Sequence, residues 1–88
     1  MNDFDKILSA QEFVANQLQK AKPANINALS WRQEEINALV EEFKLTVYSG
    51  DKSYVFTFTE QELVKDYGTE KWENRLTRRA KEILVEIG

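Results

Sequence analysis

The chain has 88 residues, 42% hydrophobic and 31% charged, with a net charge of −3 and neither histidine nor cysteine. Those two absences remove the side chain that titrates near neutral pH, the most reactive nucleophile and the usual transition-metal ligands, and they exclude a disulfide framework. The length fits one domain spanning residues 1–88, and five Phe, three Tyr and two Trp can fill a single core. No run of more than three consecutive apolar residues occurs, and Met1-Asn2-Asp3-Phe4-Asp5-Lys6 lacks a basic flank leading into an apolar stretch. The expectation is therefore a cytoplasmic protein with no membrane span and no signal peptide.

In chain order, Phe4, Ile7, Leu8, Val14, Ala15 and Leu18 recur at helical spacing and predict a first amphipathic helix. Its start is open between Asn2 or Asp3 and a Ser9–Glu12 capping box stapled by Leu8 and Phe13. Its end must precede Pro23, because the residue before proline is pushed out of the helical region. Residues 23–29 read as a short connection anchored by Ile26 and Leu29. Ser30 with Gln33 then makes a second capping box, and Ile36, Leu39, Val40 and Phe43 mark the buried stripe of a second helix, with Glu34, Glu35, Glu41 and Glu42 on its other faces.

From Lys44 the period changes to two. Leu45–Tyr48 and Ser53–Phe58 are rich in β-branched and aromatic residues and are joined by Gly50-Asp51, which suits a type II′ turn. Pairing Ser49 with Lys52 places Val47 opposite Tyr54, Leu45 opposite Phe56 and Phe43 opposite Phe58 on one face. A slip of one residue would scatter that apolar set. Thr59 with Glu62 forms a third capping box opening a helix that carries Leu63, Val64 and Tyr67, and Gly68 supplies a residue able to take positive φ at its end. Thr69 caps a final helix whose stripe is Trp72, Leu76, Ala80, Ile83, Leu84 and Ile87. The expected architecture is α+β: two N-terminal helices, a central antiparallel β-hairpin and two C-terminal helices, in the order α-α-β-β-α-α.

Few features point to chemistry. Lys71, Arg75 and Arg78 fall on one strip of the last helix, with Arg79 between that strip and the apolar stripe. Such a strip can contact phosphates with strong salt dependence, but it also matches an ordinary solvated face, since Arg78 and Glu82 are an i,i+4 pair. Glu62-Leu63-Val64-Lys65-Asp66-Tyr67-Gly68 looks like the first half of a helix-turn-helix, yet the positions that should carry the second helix's buried residues hold Asn74 and Thr77. The acidic pairs Glu34-Glu35 and Glu41-Glu42 lack the converging oxygens and glycine loop of a hard-cation site, so no metal is expected. There is no nucleophile elbow, phosphate loop or Ser-x-x-Lys pattern, so neither catalysis nor a cofactor is expected. Tyr48 is the best candidate for base stacking on the outer face of the hairpin, but one tyrosine is not a platform.

The hairpin has two open edges without proline or bulge, and a two-stranded sheet is marginal on its own. The expectation that follows is a non-catalytic protein-interaction module or small regulator, self-associating as a homodimer, with an unidentified protein partner. The alternative is a nucleic-acid-associated protein using Lys71, Arg75, Arg78 and Arg79, with Tyr48 as a further surface residue.

Overall fold

The computed structural model describes residues 3–21, 25–37 and 40–88, with side chains for all of these but 34–37, 40 and 41. The elements run α1 (Asp3–Lys20), β1 (Ala28–Asn37), β2 (Val40–Ser49), β3 (Lys52–Thr59), α2 (Glu60–Val64) and α3 (Glu70–Ile87). The protein is α+β, with an antiparallel sheet of order β1-β2-β3.

The hairpin has the expected register: Ser49 faces Lys52, Val47 faces Tyr54, Leu45 faces Phe56 and Phe43 faces Phe58. Gly50 takes φ 64° while Asp51 stays at negative φ, the sign pattern of a type II′ turn. The turn is held from outside, because Asn27 Oδ1 accepts the Gly50 N–H at 2.6 Å and the Asn27 N–H donates to the Tyr48 carbonyl at 2.7 Å.

The predicted second helix is instead strand β1 and the start of β2. Ser30 and Gln33 cap nothing; they lie opposite Thr46 and Phe43 in the ladder. Leu29 and Trp31 alternate onto the face shared with Val47 and Leu45, and Trp31 packs on Phe58 with ring centroids 5.2 Å apart. A third strand satisfies the backbone of β2 on both sides, a demand that outweighs the weak helix preference of a Gln- and Glu-rich segment. The helical stripe assigned to Ile36, Leu39 and Val40 falls on residues whose side chains, and for Leu39 the backbone, lie outside the described residues, as does Pro23.

Helices α1, α2 and α3 cover one face of the sheet. Ala10, Val14 and Leu18 of α1, Phe43, Leu45 and Val47 of β2, Phe58 of β3, Leu63 of α2, and Trp72, Leu76, Ala80 and Ile83 of α3 form one buried cluster. Ile26 and Leu29 pack at its margin as expected. Helix α1 runs straight through Ser9, so the Ser9–Glu12 box is not used, and Asn2 lies outside the described residues. Its buried stripe is Ala10, Val14 and Leu18, which leaves Phe4 66% and Leu8 43% exposed.

Thr59 caps α2 by accepting the Glu62 N–H at 3.1 Å, but the helix stops at Val64, and a turn with Asp66 at φ 57° and Gly68 at φ 80° leads into α3. Thr69 caps α3 by accepting the Trp72 N–H at 3.4 Å. The Trp72 ring closes this end of the core: its Nε1–H donates to the Leu63 carbonyl at 2.8 Å, and Tyr67 and Phe13 pack against it at 5.0 and 5.3 Å.

Candidate interaction surface

A two-residue hairpin makes its flanking pair, Ser49 and Lys52, a hydrogen-bonded one, so Lys52, Tyr54, Phe56 and Phe58 point their backbone groups toward β2. Ser53, Val55 and Thr57 then point theirs outward. Two contacts agree with this parity: the Tyr48 carbonyl is met from the β1 side by Asn27, and the Thr57 carbonyl is met from outside β3 by Arg79. No strand pairs with the outer side of β3 among the described residues.

Arg79 closes one end of that edge. Its Nη2 donates to the Thr57 carbonyl at 2.6 Å, its guanidinium lies 4.5 Å from the centroid of the Phe58 ring, and Nη1 donates to Glu82 Oε2 at 3.3 Å. Glu62 Oε2 stands 2.9 Å from Arg79 Nε, an ion pair in distance although the N–H is not aligned as a hydrogen bond. Both side chains of that pair are mostly shielded, at 25% and 21% exposure. The edge is thereby closed at Thr57 and open at Ser53 and Val55, with Val55 59% exposed.

Beside the open stretch lies a groove of about 420 Å³ between β3 and α3, lined by Tyr54, Val55, Phe56, Arg79, Glu82 and Glu86. Helix α3 runs antiparallel to β3 here, with Arg79 at Thr57 and the acidic residues farther toward the hairpin turn. The wall is aromatic on the strand side and acidic on the helix side. Just outside it, Arg78, Lys81 and the 81% exposed Val85 continue the surface of α3.

The four cations of the predicted strip divide in two. Arg75 turns inward: Nε donates to the Glu62 carbonyl at 2.9 Å and Nη2 to the Lys65 carbonyl at 2.5 Å, satisfying carbonyls at the end of α2. Arg79 is anchored as described. Lys71 and Arg78 remain exposed. Tyr48 lies on the open outer face of the sheet at 42% exposure, away from this strip, and shares that face with Ser30, Thr46 and Val55. Trp31, which follows the predicted cap at Ser30, sits mid-strand on the core face.

The acidic pairs are not on a helix either: Glu34 lies opposite Glu42 and Glu35 opposite Glu41 in the ladder, and of these only the Glu42 side chain is described. Among the described residues, no cluster of acidic side chains is arranged to hold a metal ion, and no helix is long and apolar enough to cross a membrane. No family model, curated protein or solved structure matches this chain.

The acidic wall of the groove, Glu82 and Glu86, was not marked out by sequence reasoning. Its only signal is an i,i+4 spacing on a helix already counted as basic.

Proposed function

We propose that this chain is a non-catalytic protein-interaction module, working in the cytoplasm, that takes up an extended segment at the outer edge of β3. The observation that carries this is the open stretch Ser53–Val55 beside a groove walled by α3. Unpaired strand N–H and C=O groups offer a generic ladder, and the groove offers pockets to alternate side chains of the arriving strand. Inward-turned Arg75 and Arg79 support this proposal over the nucleic-acid alternative, since two of the four cations are engaged within the chain.

The test is selection of random displayed peptides on the folded protein, followed by amide-resolved NMR of the selected peptides. Binding should shift Ser53–Thr57 and the facing turns of α3, and Val55→Pro should abolish it while the circular dichroism spectrum is kept. Proline is tolerated on an edge strand and removes only the outward N–H here. Peptides that bind Val55→Pro as well as the parent would refute the proposal, as would shifts confined to other surfaces.

A further inference from the structure

We infer that the segment taken up by the β3 edge is the β3 strand of a second copy of this chain, paired antiparallel about a two-fold axis at Tyr54. This rests on the edge being the interaction site and adds the identity of the occupant and its register.

Of the antiparallel registers that bring outward-facing residues of both strands together, those centred on Val55, Phe56 or Thr57 all use Thr57, and one centred on Ser53 sets Val55 against Asp51 of the turn. Centred on Val55, Val55 meets Val55 of the second copy and Thr57 meets Ser53, which requires the Thr57 carbonyl as an acceptor. Arg79 already holds that carbonyl at 2.6 Å and places a guanidinium in the path of the arriving strand. Centred on Tyr54, Ser53 of each copy pairs with Val55 of the other, giving about four ladder hydrogen bonds and leaving Thr57 with Arg79. The arginine thus acts as a stop that selects the Tyr54-centred register.

The groove fits the strand that this register delivers. Lys52, Tyr54 and Phe56 all point to the helix-covered face of the sheet. Lys52 of the second copy arrives opposite Phe56, beside Glu82, and Tyr54 of the second copy arrives opposite Tyr54, nearer Glu86. Alternate strand residues are about 6.6 Å apart and residues one helical turn apart about 6 Å along the axis, so the two patterns stay in step. The basic-x-aromatic sequence of Lys52-Ser53-Tyr54 is complementary to a groove with an acidic and aromatic lining. The same contacts repeat across the axis, and the two three-stranded sheets become one six-stranded sheet.

The chain lacks cysteine, so single cysteine variants report the register cleanly. A non-hydrogen-bonded antiparallel pair has Cα atoms about 4.5 Å apart, within disulfide range, whereas Val55 would lie about 8 Å from its own copy in the Tyr54-centred register. Tyr54→Cys should therefore cross-link to itself under mild oxidation roughly tenfold faster than Val55→Cys. A mixture of Ser53→Cys with Val55→Cys reads the same register from two exposed positions and should form the mixed disulfide. Lys52→Glu should weaken the dimer roughly tenfold, two equivalent ion pairs being lost per interface, and Glu82→Lys on the same chain should restore it.

Faster self-linking of Val55→Cys would overturn the Tyr54 register while keeping the second copy. Absence of cross-linking above the rate of a free thiol at matched concentration, with selected peptides still landing on Ser53–Thr57, would overturn the second copy and leave the edge proposal standing. Failure of both would remove the edge itself.

Discussion

Arg79→Ala should be far more destabilising than Arg78→Ala on the same helix, because Arg79 ties the helix to the edge of the sheet. Its hydrogen bond to the Thr57 carbonyl contributes about 1 kcal/mol. The pairing with Glu62 is largely shielded yet not buried, and contributes about 0.5–1 kcal/mol. The guanidinium against Phe58 adds about 0.5–1 kcal/mol, while the exposed contact with Glu82 contributes little. These groups share one side chain and do not add fully, so the expected loss is about 2 kcal/mol. For a domain of this size that lowers the melting temperature by roughly 8–16 °C. Urea denaturation followed by circular dichroism measures it, with Arg78→Ala as the control: Arg78 is exposed and its removal should stay within about 0.5 kcal/mol. Equal, small effects at the two positions would refute the assignment of Arg79 as a clamp and reinstate a single solvated basic strip.

Trp72→Phe keeps most of the ring packing but leaves the buried Leu63 carbonyl without its donor, so it should cost about 2 kcal/mol in the same denaturation assay. Thr59→Ala and Thr69→Ala each remove an N-cap acceptor and should each cost about 1 kcal/mol, with the two effects measured separately by urea midpoint. Asp66 holds φ 57°, a region that disfavours side chains, so Asp66→Gly should raise stability by about 0.5–1 kcal/mol despite the added freedom of the unfolded chain. A lowered midpoint for Asp66→Gly would show that the Asp66 side chain compensates the backbone conformation.

What could be read from the residues and what could not divide along physical lines. The β2–β3 register was legible because Phe43, Leu45 and Val47 against Tyr54, Phe56 and Phe58 allow one solution with a common apolar face. The caps at Thr59 and Thr69 were legible because capping is local. Strand β1 was not. Ser30 to Gln33 imitates a capping box and the following Gln and Glu residues suit a helix, while the competing evidence, alternation of Leu29 and Trp31, spans only two core residues. The deciding factor is the unsatisfied side of β2, which is a property of the assembled sheet and not of the segment. The same holds for the surface: sequence spacing placed Lys71, Arg75, Arg78 and Arg79 together, but which of them turn inward depends on carbonyls of Thr57, Glu62 and Lys65 that only the folded chain brings within reach. Closing one hairpin edge with β1 narrows the expected open backbone to the outer edges of the sheet, and Arg79 narrows the β3 edge to Ser53 and Val55.

The most direct test of the β3 edge is amide hydrogen exchange, read residue by residue at low and at high protein concentration. The outward amides of Ser53 and Val55 should exchange fast in dilute solution and slow markedly as concentration rises, while the amides of Tyr54 and Phe56, already bonded to β2, change far less. Exchange at Ser53 and Val55 that stays fast at every concentration, or concentration-dependent protection that appears along β1 instead, would contradict self-pairing at the β3 edge.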